Sequence, residues 1–392
     1  MKERKGDWRD LLAAHGSAID AKKLWLGFIA SITILSLVTI MAMVYGRFFP
    51  NSPVALVGQF WRRSNLLFSL LHGRGLTAFP LLLPLFNPFH GGVVHLALSA
   101  LMYFLLLSIL TYCGGAISRL TALQYARDDI PTLQDGLKMV RAKRRAYLFA
   151  PLTPFFGVLL FAVGNIVIGL IGSIPVVGPW IMAFLLPFCA VPAALIITFI
   201  VVLGVLTFGL MLPAISIGGK DAFEGWSSAY SYLLWGFNRF VSYTVLAAVI
   251  GVLTALAAYG IVELFVYTLI KTVSIGLIGK SLLSYTMGGG LAPDVSAITG
   301  GSLGLAVASW LTILIVFVAR CMVFAYAISY FFTANTIICF LLRKHVDRID
   351  VDQVYEEKPE QEAAAPEAPE AAQGPQAGPP TAEQPEGEQG EQ

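Results

Sequence analysis

The sequence is poor in charge. Lys, Arg, Asp and Glu make up 13% of the 392 residues, while 57% are hydrophobic and the mean hydropathy is +0.74. Soluble domains carry about 25% charged residues, so a water-soluble globular fold is excluded. Cysteine is scarce too. Cys113, Cys189, Cys321 and Cys339 all stand inside apolar runs, and none has the paired spacing of a zinc or redox site. They read as small buried hydrophobes. The basic residues fall in loops between apolar runs rather than along one stripe, which argues against a nucleic-acid partner. No segment combines a nucleophile, a base and an orienting group in a convincing context, so the chain reads as a non-enzyme without a cofactor.

What the sequence has is long apolar runs. About 20 apolar residues cross about 30 Å of hydrocarbon. Six regions qualify: about 24–46, 92–117, 147–172, 181–213, 240–270 and 304–342. The fourth and sixth exceed the requirement and must tilt, break or project. Pro187 and Pro192 offer a break in the fourth, because proline removes an intrahelical bond. Eight spans remain an alternative count. The first run is too long for a removable signal and reads as a retained anchor. The expected fold is an all-α, polytopic transmembrane helix bundle of about six spans with interfacial amphipathic helices. Residues 1–23 form a polar N-terminal segment, 24–355 the helical domain and 356–392 a tail.

The formal charge of +2 hides two opposed regions. Beyond Tyr355 the tail holds ten Glu against a single Lys, Lys358, and the rest of the chain is then net +11. The tail is rich in Pro, Glu, Ala, Gln and Gly without an aromatic, a composition expected to be disordered. Its bland role is a solvated extension, its sharper one the docking of a basic partner. With the N-terminus inside, residues 1–23, 118–146, 214–239 and 343–348 carry 18 Lys and Arg against six in the opposite loops. The positive-inside rule then puts both termini in the cytoplasm of a bacterial cell, the spans lying in its cytoplasmic (inner) membrane. Residues 47–91 resist this order, with four Arg and no acid; an interfacial or re-entrant segment would accommodate them.

The two inner loops carry similar motifs, Thr132-Leu-Gln-Asp135-Gly136 and Asp221-Ala-Phe-Glu224-Gly225, each close to a capping box. After the second, Phe223, Trp226, Tyr230 and Phe237 recur near helical spacing, interleaved with Glu224, Ser228 and Ser231, as in an amphipathic helix lying in the membrane interface. The matching order suggests a duplication about as well as it suggests chance. Two stretches, Leu212 to Gly225 and Thr336 to Asp347, resemble parts of uncharacterised polytopic bacterial inner-membrane proteins. The resemblance covers about a tenth of the chain and implies a membrane location but no chemistry. The paired-span plan is also similar to membrane domains attached to some phosphodiesterases, whose catalytic domain has no counterpart in this sequence.

Ionisable residues inside spans cost about 2.5–3.5 kcal/mol on insertion scales, which singles out Glu263 and Arg320. Counted from the ends of their apolar runs, Glu263 falls near the outer interface and Arg320 deeper. Separate snorkelling toward polar layers is therefore expected ahead of an ion pair, and a transport role behind both. Gly300-Gly-Ser302-Leu-Gly304 matches a serine-hydrolase pattern, but Gly300, Gly304 and Ala308 also form a helix-packing series, as do Ala247, Gly251 and Ala255. Packing is the stronger reading. His90 and His95 lack the spacing and carboxylate of a metal site, and Gly279-Lys280-Ser281 lacks the first glycine of a phosphate loop. The chain thus reads as a non-enzymatic scaffold or subunit of a membrane assembly, touching the lipid bilayer and a membrane or cytoplasmic protein through its inner loops or tail. The alternative is a transporter or permease-type accessory subunit moving a small solute or lipid; an intramembrane hydrolase using Ser302 ranks last.

Overall fold

A computed structural model describes residues 6–48, 92–128, 130–276 and 303–355. All regular structure among them is helical, and six helices are long and apolar enough to cross a membrane. The protein is a multi-pass, membrane-associated helical bundle. The chain divides into two units, 1–355 and 356–392. The acidic tail, the 49–91 segment, His90, Ser302 and the 279–281 motif lie outside the described residues.

After a 3-10 turn at Trp8–Ala13, α1 (Ala14–Ala18) leads into α2 (Ala21–Phe48), and α3 spans Gly92–Arg127. Two short helices follow, α4 (Leu133–Ala142) and α5 (Arg144–Phe149), then α6 (Thr153–Gly172), α7 (Gly178–Leu185) and α8 (Val191–Gly218). The chain closes with α9 (Ala222–Trp235), α10 (Phe237–Gly276) and α11 (Leu303–Val346). α11 is the hub, touching α2, α3, α8 and α10. The α2–α11 contact is close because Gly27 lies directly against the Ala325 carbonyl, with no room for a Cβ.

Span limits differ from the sequence reading, and in the third and fourth the cause is a proline. The third begins at Thr153, not residue 147, because Pro154 supplies no amide donor and starts a new helix in its first turn. Tyr147 and Ala150 instead belong to a buried cluster with Met139, Val140, Ile215 and Phe332. The fourth span runs on from Gly178 to Gly218 without a full break. Pro187 sits in a single π-helical turn, Leu186–Ala190, where the Val191 amide reaches back to the Leu186 carbonyl. Cys189, in that turn, is exposed, whereas the other three cysteines are buried as expected.

Burial is uneven. The C-terminal half of α8, from Leu203 to Ile217, and the C-terminal half of α11 supply most of the main buried cluster, together with Leu11, Tyr125 and Leu233. By contrast, α6 has no buried residue, and in α7 only Gly178 is buried. The α6–α7–α8 hairpin therefore leaves a consolidated polar-ended body and extends as an apolar arm.

Candidate functional site

The segments rich in basic residues converge at one end of the body and are tied there by long-range hydrogen bonds. Tyr125 donates to Asp10 Oδ2 at 2.7 Å, Gln124 Nε2 to Asp20 Oδ2 at 2.6 Å, and Lys22 Nζ to the Pro131 carbonyl at 2.7 Å. Lys23 is fully buried and donates to Ser17 Oγ at 2.7 Å. Ser329 Oγ donates to the Ala18 carbonyl. Such contacts fix the order of the helix ends, because each polar group removed from water regains a partner.

The centre of this cap is Arg119, which sequence reasoning counted merely as a loop cation. It is buried, and its guanidinium donates to the carbonyls of Ser216 and Tyr355, both at 2.8 Å. Ser216 closes α8 and Tyr355 ends the described chain, so one arginine joins three distant segments. The Tyr355 amide donates to the Ile217 carbonyl at 2.9 Å, and the Tyr355 ring packs on Gly219 under Lys143 Nζ. Gly219 is left-handed, φ 63°, as a helix C-cap requires, and its missing Cβ makes room for the ring. Residues 347–355 thus form a strap across the cap, held further by Arg343 donating to the Gln353 carbonyl. The clue to Arg119 was its place directly after the apolar run ending at Ile117, on a helix that continues for another eight residues.

Beneath the strap, Tyr147 and Ser216 share a 2.8 Å hydrogen bond in full burial. Burial pushes the Tyr147 phenol up to about 12, against smaller opposing effects of the Ser216 bond and the Arg119 charge. Tyr232 is also raised, by burial first and then by the neighbouring Cys339, and it donates to Asp347 Oδ2 at 2.7 Å.

The two loop motifs take one local role. Thr132 and Asp221 both adopt extended N-cap conformations, and Gly136 and Gly225 both pack against the preceding long helix. Their caps differ. The Thr132 amide and hydroxyl both donate to Asp135 Oδ2, at 2.7 and 2.8 Å, whereas Asp221 makes no capping bond. It stands exposed, 3.9 Å from Lys143 Nζ, and Glu224 lies 3.7 Å from Lys220. Phe223, Trp226 and Tyr230 form a continuous aromatic row with centroid spacings of 5.4 and 4.7 Å. Trp226 and Tyr230 pack partly into the core, and Tyr230 donates to the Ile200 carbonyl, so α9 lies along α8. Phe223, Leu234, Trp235 and Phe237 remain exposed.

Glu263 and Arg320 meet. Arg320 Nε donates to Glu263 Oε1 at 2.9 Å and Nη2 to Oε2 at 3.2 Å, a bidentate pair. This overturns the expectation of separate snorkelling. Counting from the 270 and 304 ends of the apolar runs misplaces the heights, because α10 continues past its run to Gly276. Glu263 stands 26 residues from Phe237 and Arg320 26 residues from Val346. Each is therefore about 39 Å from the cap end of its helix at about 1.5 Å per residue. The arginine is buried and the glutamate about a quarter exposed. Among the described residues, no cluster of His, Cys, Asp and Glu could hold a metal ion.

No protein-family model, curated protein or solved structure matches the chain.

Proposed function

We propose that this protein is a non-enzymatic scaffold or subunit of a membrane assembly in a bacterial cytoplasmic membrane, with the cap on the cytoplasmic side. The observation that carries this reading is the α6–α7–α8 arm. Its first helix buries no residue, yet it leaves a body whose cap is densely bonded. Helices associate within lipid by packing rather than by the hydrophobic effect, and an arm whose first helix buries no residue of its own keeps a surface on which another protein can pack. The excess of basic residues in the cap segments supports the orientation. The acidic tail adds a contact for a basic partner, as does the exposed aromatic edge of α9 for the interface.

The test is purification of the full chain in mild detergent after photo-crosslinking from residues 160 and 195, both exposed on the arm. A stoichiometric protein partner joined through the arm is expected, and deletion of residues 356–392 should weaken its recovery. A chain that purifies alone, with arm crosslinks only to lipid, would sink the proposal. The alternative, a permease-type accessory subunit, draws on the intramembrane Arg320–Glu263 pair and the π turn at Leu186–Ala190. On that reading Glu263→Gln abolishes solute flux in proteoliposomes.

A further inference from the structure

Past the end of α3 the chain turns back, and α4 returns along α3 in the opposite direction. Gly136 sits on the Ala116 carbonyl and Leu120, and Val140 reaches Gly115. Further along, Arg141 Nε donates to the Tyr112 hydroxyl at 3.3 Å. The helices lie this close because a Cβ on Gly136 would already stand 3.0 Å from the Ala116 carbonyl oxygen. Tyr112 is five residues inside the apolar run of α3, which ends at Ile117. The contact is therefore about 7.5 Å deeper than the end of that run, at about 1.5 Å per residue. This is headgroup depth, where tyrosine rings and arginine heads settle.

The outward side of this segment is cationic. Val140 and Tyr147 are buried, whereas Lys138, Arg141 and Arg145 are exposed at spacings of three and four residues, with exposed Phe149 four further on. The neighbouring acids are engaged elsewhere. Asp135 turns back to Thr132, and Asp221 lies by Lys143, which reaches the Gly219 carbonyl on the strap side. Among the described residues Arg145 has no hydrogen bond or ion pair, and Arg141 bonds to Tyr112 alone. A guanidinium carries five N–H donors, of which that bond uses one, and the Tyr112 hydroxyl accepts there and keeps its own proton to donate. The free edge of the guanidinium has the planar fork that matches two oxygens of a phosphate.

We propose that the α3–α4 corner binds the headgroup of an anionic glycerophospholipid. Its phosphate accepts from the free edge of Arg141 and from the Tyr112 hydroxyl, Lys138 and Arg145 attract its net negative charge, and Phe149 meets the top of its acyl chains. Depth selects a lipid over a soluble anion, because the Arg141–Tyr112 contact lies at a level that headgroups occupy and dissolved anions do not. Charge selects an anionic lipid over a zwitterionic one, since a choline would set a further cation against three basic side chains. Each basic side chain at a membrane surface favours an anionic lipid about fivefold. The site is independent of any protein partner on the arm and of which side of the membrane the cap faces.

The experiment uses the full chain in phosphatidylcholine vesicles. Parallel samples contain a trace of phosphatidylglycerol or of phosphatidylcholine, each with the same diazirine near the first carbons of an acyl chain. After irradiation, adducts are mapped by mass spectrometry. The phosphatidylglycerol probe is expected to label 108–116 and 145–156 at least about fivefold more than the phosphatidylcholine probe. The two should label 159–167 of α6 alike, since that helix buries no residue and reports ordinary lipid contact. Arg141→Gln should remove most of the excess and Tyr112→Phe about half of it. Arg239→Gln, at an exposed cation near the start of α10, should leave it unchanged. Equal labelling by the two probes overturns the proposal, as does an excess that survives Arg141→Gln or Tyr112→Phe. An excess lowered as much by Arg239→Gln overturns it too, because the preference is then one of diffuse surface charge. Loss of the excess on adding millimolar inorganic phosphate at constant ionic strength reassigns the corner to a soluble anion and overturns the lipid.

Discussion

Arg320 and Glu263 show how a single pair constrains a membrane protein. A lone ion inside a span is costly, and a fork-to-carboxylate contact removes most of that cost by satisfying both groups together. Losing one partner leaves the other charge stranded. Glu263→Gln or Arg320→Met should each destabilise the detergent-solubilised protein by about 3 kcal/mol, the low end for buried pairs because Glu263 is partly exposed. The double replacement Glu263→Leu, Arg320→Met should recover most of that loss, as read by thermal unfolding. Arg320→Lys keeps the charge but loses the fork and should fall in between. Tyr147 gives a pH signature. Its pKa is raised in the folded state to about 12 from an ordinary 10. The neutral phenol is favoured by folding, so its contribution is complete below pH 10 and is lost as pH rises from 10 through 12. The loss amounts to about 2–3 kcal/mol. Tyr147→Phe should flatten the stability curve across that window while leaving acid behaviour unchanged.

At the scale of elements, the strap and the two capped loops decide the cap. Gly219 ends α8 in a conformation that other residues adopt at a cost, and the Tyr355 ring occupies the space where a side chain would be. Gly219→Ala should therefore release residues 347–355, seen as new protease cleavage in that segment, with the six long helices retained. The Thr132 and Asp221 motifs were legible as helix starts, and both do start helices. Their difference was not legible. Asp135 turns back to the Thr132 amide, while Glu224 is engaged with Lys220, and which partner a carboxylate takes depends on cations brought by the fold.

For the whole molecule, the division between a bonded cap and an apolar arm matters more than the number of spans. The cap gathers four segments that are far apart in sequence, and it does so with buried Arg119, Lys23 and Asp10 rather than with apolar contacts alone. The arm carries its apolar side chains outward, among them Leu160, Phe184 and Phe199. A topology test follows. In intact spheroplasts of a cysteine-free background, a cysteine at Lys138 should resist an impermeant thiol reagent and one at Ile174 should react; the reverse result would invert the orientation.

Hydropathy, loop charge and capping residues are local properties, and by themselves they determined the helical class, the six apolar spans and the starts of α4 and α9. Tertiary structure decided what depends on the relative height and rotation of helices. It brought Arg320 to Glu263, placed Arg119 under the strap and set Arg141 against Tyr112. Those outcomes turn on where α10 and α11 begin and end and on which small residues face each other. Composition does not encode such distances, because one residue's shift along a helix moves a side chain by about 1.5 Å and turns it by about 100°.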